Sequence, residues 1–128
     1  MPQPPALADV LSRHPQIRLA IVFGSIARGS ARRDSDLDLA VLASHPLSAE
    51  EKIQLIADLA AHTGRPVDLV DLRTVGEPLL GEILKQGQRL IGSDADYAEL
   101  LRRHIFDSED FMPYVRRILA ERRRAWIG

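Results

Sequence analysis

The sequence predicts an α/β (α+β) fold with a small mixed β-sheet and helices packed chiefly on one face of the sheet. Helix-like and strand-like segments alternate along the chain with short connections, which is the order typical of a layered α/β domain. The 128 residues contain no repeat, linker or low-complexity segment. They are therefore expected to form one domain, residues 1–128.

The individual elements are predicted from periodicity and capping residues. Strand-like segments occur at residues 17–23, 36–42, 67–72 and 88–91, the last as an edge strand. Helices are expected at residues 6–14, 24–28, 48–64, 79–87 and 93–108, and from about residue 109. Ser48 and Glu51 form a capping box at the start of the third helix. Its apolar stripe is expected to consist of Ile53, Ile56, Leu59 and Ala60.

The most informative pattern is a Gly-Ser turn followed, after ten intervening residues, by paired aspartates. Gly24 and Ser25 lie where a strand-like run gives way to a short helix. The first turn of a helix has free backbone N–H groups that bind anions, and glycine lets a phosphate approach closely. Asp36 and Asp38 lie two apart in the next strand, so both carboxylates project from one side. Like charges held this close need a shared cation, and magnesium suits carboxylate and triphosphate oxygens.

Two segments that carry this pattern resemble the minimal nucleotidyltransferases of the DNA polymerase β superfamily. Residues 23–29 read Phe-Gly-Ser-Ile-Ala-Arg-Gly, and residues 33–39 read Arg-Asp-Ser-Asp-Leu-Asp-Leu. Residues 66–72 and 107–111 resemble, more narrowly, the MntA antitoxins, which are encoded beside HEPN-domain toxins. The resemblance implies a polymerase β-like nucleotidyltransferase fold, Mg²⁺ as cofactor and ATP as substrate. It also implies transfer of AMP to a tyrosine of a partner HEPN toxin, which silences the toxin.

The same family uses a third carboxylate, for which the chain offers two candidates. In residues 66–72 a period of two places Val67 and Leu69 on one side and Asp68 on the other. Because the apolar side must face the same core as Leu37, Leu39 and Val41, Asp68 is expected to join Asp36 and Asp38. Asp71 remains the alternative, since a strand end can bend, although it can equally cap the following turn. In a two-metal scheme the third carboxylate would help to activate the attacking hydroxyl and accept its proton.

The remaining polar residues give weaker indications. Arg28 has two open interpretations, a contact with the triphosphate or a solvated surface arginine. Arg32 and Arg33 are expected to be solvated and to balance Asp34. The four histidines show no metal-ligand spacing and are expected at helix ends or on the surface.

Composition narrows the class of protein. The chain has no cysteine and no apolar run of membrane-spanning length, and its start lacks the features of a secretion signal, so we expect a cytoplasmic protein. A net charge of −1 argues against direct nucleic-acid binding. The C-terminal helices, about residues 94–126, add arginines and Trp126 and are a candidate docking extension for a partner. Alternatively, those arginines complement the negative end of the last helix.

Three functions remain open at this point. The first is a magnesium-dependent adenylyltransferase that modifies a HEPN toxin. The second is the same chemistry directed at a small molecule or a nucleic-acid end. The third is an antitoxin that acts by occlusion without catalysis, although such a protein has no physical need to hold three aspartates together.

Overall fold

The computed structural model describes residues 4–32, 34–107 and 116–123. The chain order of its elements is α1 (Pro4–Leu11), β1 (Ile17–Phe23), α2 (Gly24–Arg28), β2 (Leu37–Ala43), α3 (Ala49–Thr63), β3 (Val67–Asp71), α4 (Leu79–Gln86), β4 (Gln88–Ile91) and α5 (Asp94–Asp107). Residues 116–123 are also helical. Among the described residues no helix combines the length and apolar character needed to cross a membrane.

The four strands form one mixed sheet in the order β3-β2-β1-β4. β1 pairs antiparallel with both β2 and β4, whereas β2 and β3 run parallel. The parallel pair is connected through α3, as a parallel connection requires a crossover. The predicted α/β class, the mixed sheet and the edge position of β4 are therefore confirmed.

The core lies on both faces of the sheet. One cluster joins α1 and α3 to inward residues of β2 such as Leu39 and Val41. A second cluster joins α4 and α5 to Leu19 and Ile21 of β1 and to Ala40 of β2. Neighbouring residues of a strand project from opposite faces, so the two clusters cover opposite sides. Helices therefore pack on both faces instead of chiefly on one, because central strand β1 is apolar on both sides.

The third helix begins and ends where the sequence predicts. Ser48 Oγ accepts the Glu51 N–H at 3.1 Å, and the Ser48 N–H donates to the Glu51 carboxylate at 3.0 Å, which completes the capping box. Gly64 ends the helix with a φ of 68°. The predicted apolar stripe is wrong at Ile53, which is 67% exposed. The buried pair is Leu55 and Leu59, which lie one turn apart, whereas Ile56 and Ala60 are half-buried.

Two other helix boundaries, the end of α1 and the beginning of α5, are set by neighbouring residues. The first helix stops at Leu11 and not at His14, because His14 precedes Pro15 and is thereby disfavoured in the helical region. His14 is buried instead of lying on the surface, and its Nε2 lies 2.7 Å from the Asp58 carboxylate of α3. α5 begins after Ser93, whose Oγ accepts the Asp96 N–H at 3.1 Å. The predicted final helix from residue 109 begins outside the described residues. Trp126 also lies outside them.

Candidate active site

The β1–α2 turn places a glycine directly against a carboxylate. Phe23 is extended, Gly24 has a φ of 72°, and the five-residue α2 is followed by Gly29, whose φ is 73°. A Cβ atom on Gly24 would collide with the Asp38 carboxylate, 2.9 Å from Cγ. Both the backbone angle and the close approach therefore require glycine at this position.

Three aspartates come together beside this turn. In the sheet Phe23 pairs with Asp38, and Asp38 pairs with Asp68 across the parallel β2–β3 ladder. Asp36 immediately precedes β2 and acts electrostatically on the same Asp38 carboxylate. Asp38 is half-buried, whereas Asp36 and Asp68 are exposed. The strand phase predicted for Asp68 thus agrees with the structure, in which Val67 and Leu69 pack on the opposite face.

Electrostatic strain concentrates on Asp38. Burial, followed by the negative charges of Asp68 and Asp36 and by a hydrogen bond with Asp68, raises the pKa of Asp38 above its ordinary value. The positive charge of Arg28 acts in the opposite direction. A cation bound among these groups would relieve the repulsion, because it stabilises the ionised form of all three carboxylates.

Arg28 and Asp71 occupy different positions relative to this cluster. Arg28 lies near enough to act on Asp38, and its Nη1 is 3.5 Å from Oε1 of Gln86 on α4. Asp71 pairs with Val41, and its Oδ1 accepts the Arg73 N–H at 2.9 Å. The structure therefore places Asp71 in the turn-capping position that the sequence offered as its alternative role, on the opposite face from Asp68.

The carboxylates of Asp36, Asp38 and Asp68 are oxygen ligands that suit magnesium, but they do not enclose an ion. Within the described part of the chain, no group of three or more His, Asp or Glu side chains is arranged to hold a metal ion by itself. Asp38 and Asp68 are nevertheless close enough to hydrogen-bond, and Asp36 acts on the same site. Magnesium commonly takes one or two carboxylates, substrate phosphates and several waters. Two of these carboxylates and a triphosphate would satisfy that preference.

Sequence reasoning missed Arg65, which supports the loop in front of the aspartates. The arginine is only 6% exposed. Its Nη1 donates to the carbonyl oxygens of Arg32 and Ser35 at 2.7 and 2.8 Å. Its position between a helix-ending glycine and Pro66 carries no motif that would have marked it, since the contacts join residues about thirty positions apart. Arg33 lies outside the described residues.

Comparison with known proteins agrees with this geometry. Residues 6–96 match the family "Polymerase beta, Nucleotidyltransferase". Protein adenylyltransferase MntA of Shewanella oneidensis is 38% identical over 82 residues, which are 64% of this chain and 59% of the length of that protein. This chain therefore aligns with less than two thirds of that relative.

Solved structures match over nearly the whole chain. A chain in a crystal structure of a toxin–antitoxin with AMP-PNP has a TM-score of 0.72 and 28% identity, covering 97% of this chain and 95% of that one. A chain in the crystal structure of the toxin–antitoxin MntA-HepT has a TM-score of 0.63 and 26% identity, covering 96% and 95%. Because the family match includes both the Gly-Ser turn and all three aspartates, the chain belongs to the polymerase β-type nucleotidyltransferase family.

Proposed function

We propose that this protein is a Mg²⁺-dependent adenylyltransferase that transfers AMP from ATP to a tyrosine of a HEPN-domain toxin and so acts as its antitoxin. The observation that carries the proposal is the convergence of Asp36, Asp38 and Asp68 beside the Gly24 turn. The similarity to an adenylyltransferase named MntA and to chains from toxin–antitoxin crystals supports the narrower choice of acceptor.

The side chains suggest a division of labour. Asp36 and Asp38 would hold Mg²⁺ against the triphosphate, and Asp68 would complete a second ion position with them. The Gly24-Ser25 turn would hold the triphosphate, and Arg28 would neutralise part of its charge. Bound Mg²⁺ would supply charge neutralisation at the phosphates.

The reaction itself is a displacement at the α-phosphorus. The tyrosine oxygen forms a bond to the α-phosphorus while the bond from that phosphorus to the bridging oxygen breaks, and pyrophosphate leaves with the bonding electrons. Asp68 would accept the phenolic proton, because it is exposed to an incoming acceptor and adjoins Asp38. The half-buried Asp38 would orient the nucleotide instead of contacting the partner.

The partner would complete a site that this small domain leaves open. Residues 1–128 would act as a single nucleotidyltransferase domain, with residues 94–126 as a docking extension. α5 offers a half-apolar surface for docking, since Leu101, Ile105 and Phe106 are 36%, 38% and 53% exposed. Aromatic and arginine side chains are enriched in protein interfaces. The proposal includes a hetero-oligomer with the toxin, located in the cytoplasm and without direct nucleic-acid binding.

Intact-mass spectrometry of a cognate HEPN toxin tests the proposal. The toxin is incubated with ATP, Mg²⁺ and either the wild-type protein or a variant in which Asp36→Asn or Asp38→Asn removes one carboxylate charge. We expect AMP-sized mass increments on the toxin with the wild-type protein and not with either variant. Fragmentation should map these increments to tyrosine. Suppression of the toxin by stoichiometric binding, with no increment, would replace catalysis by occlusion. Increments on a nucleotide or small-molecule acceptor, but not on the toxin, would indicate a different substrate.

A further inference from the structure

A buried arginine holds the loop that leads into the aspartates. Arg65 follows Gly64, the residue that ends α3, and precedes Pro66 and β3. It is 6% exposed, and one guanidinium nitrogen donates to two main-chain carbonyls, those of Arg32 at 2.7 Å and Ser35 at 2.8 Å. Ser35 is the residue immediately before Asp36.

These bonds hold the turn at residues 32–35, which also has hydrogen bonds of its own. The Ser35 N–H donates to the Arg32 carbonyl at 3.1 Å, and the Arg32 N–H donates to Ser35 Oγ at 2.7 Å. Among the described residues, Arg65 provides the only side-chain hydrogen bonds that reach this turn from outside it. Two residues beyond Ser35, the Leu37 N–H donates to the Pro66 carbonyl at 2.8 Å. The segment around Arg65 therefore clamps both sides of Asp36.

Burying a guanidinium is unfavourable unless its donors find partners, and here Nη1 donates to two carbonyl oxygens. In the described residues Arg65 makes no ion pair with a carboxylate. The arginine whose charge acts on Asp38 is Arg28. Arg65 is thus arranged to control the position of the loop instead of the electrostatic field of the carboxylates.

We infer that Arg65 is a positioning residue for metal binding: its two hydrogen bonds to the 32–35 turn hold Asp36 in register with Asp38. The inference rests on the proposed function only in taking these two aspartates as the ion ligands. Groups that orient metal ligands typically contribute about 10- to 100-fold to metal affinity. A merely structural arginine would contribute to folding stability and leave the metal affinity of the folded protein unchanged.

Mn²⁺ binding separates these two roles without any toxin or transfer reaction. Free Mn²⁺ is measured by electron paramagnetic resonance with a non-hydrolysable ATP analogue, with and without protein. The triphosphate binds Mn²⁺ itself, so only the further loss of free Mn²⁺ on adding protein reports the site. Arg65→Met removes all donors at similar volume, and Arg65→Lys restores a donor and the charge. Arg73→Met is the control for loss of an arginine-to-carbonyl hydrogen bond elsewhere, because the exposed Arg73 also donates to a main-chain carbonyl, that of Ala43 at 3.0 Å, but at the far end of β2.

We expect Mn²⁺ binding about 10- to 100-fold weaker in Arg65→Met, an intermediate loss in Arg65→Lys and unchanged binding in Arg73→Met. Exchange of the Ser35 amide hydrogen should accelerate in the same order. Unchanged Mn²⁺ affinity in folded Arg65→Met overturns the inference. If Arg65→Met does not fold, Arg65→Lys decides alone, and unchanged affinity and amide exchange in that variant overturn it. Absence of Mn²⁺ binding by the wild-type protein would instead overturn the proposed metal site itself.

Discussion

Substitution of Gly24 by alanine tests whether the turn is shaped around the Asp38 carboxylate. An alanine with a φ near 72° costs about 1–2 kcal/mol, which lowers the melting temperature by roughly 3–12 °C in a domain of this size. The new methyl group would also lie 2.9 Å from Asp38 Cγ, where ordinary contacts begin near 3.4 Å. The carboxylate must therefore move, and a displacement of about 1 Å in a catalytic site can cost about 100-fold in rate.

Gly29 provides the matched control for this prediction. Its φ of 73° imposes the same backbone cost on alanine, but a Cβ atom there meets nothing within 4 Å. We expect both variants to melt lower than the wild-type protein. Calorimetry should show weakened Mg²⁺–ATP binding only in Gly24→Ala, and mass spectrometry should show about 100-fold slower AMP transfer only in that variant. Equal losses of binding and transfer in the two variants would refute the steric argument.

Three further predictions concern charge and docking. Asp68→Asn should abolish AMP transfer while Asp71→Asn leaves most of it, as measured by the toxin mass shift; the reverse order would show that Asp71 is the third carboxylate. Because the folded state raises the pKa of Asp38 above 3.8, this group destabilises the metal-free fold increasingly as pH rises from 3.8 through the raised pKa. In EDTA, Asp38→Asn should therefore melt at a higher temperature than the wild-type protein at neutral pH. Below pH 3.8 this difference in melting temperature should disappear. Equal melting temperatures of the two proteins at both pH values would contradict this prediction. Deletion of residues 122–128 should leave Mg²⁺–ATP binding intact and slow AMP transfer to the toxin, whereas unaffected transfer would favour a purely solubilising role for those residues.

Local signals in the sequence were sufficient for much of the fold and for the position of the aspartates. The predicted strand at residues 17–23 coincides with β1, and the capping box at Ser48 begins α3. The phase of β3 followed from Val67 and Leu69, whose apolar side must meet the core, so the orientation of Asp68 followed from a period of two. Each of these features depends on neighbours within one turn or one strand.

Features that depend on contacts between residues far apart in the chain are harder to predict from the sequence. β1 is apolar on both sides, and periodicity alone does not say which helix covers each side, so the distribution of helices between the two faces was mispredicted. The helical apolar pattern predicts Ile53 in the core, but Ile53 is exposed, and Leu55 and Leu59 pack in the core instead. Arg65 gave no signal, because its partners are defined only once β2 and β3 have paired.

The parallel β2–β3 pairing therefore has two consequences that come from the same register. It sets Asp38 opposite Asp68, and it sets Leu37 opposite Val67. The second match brings Pro66 to the Leu37 amide and Arg65 to the turn before Asp36. A shift of this register by one residue would separate the carboxylates and release the clamp together, because it would also turn Asp68 to the opposite face of the sheet. The crossover through α3, which sets where β3 begins, is consequently part of what positions the site.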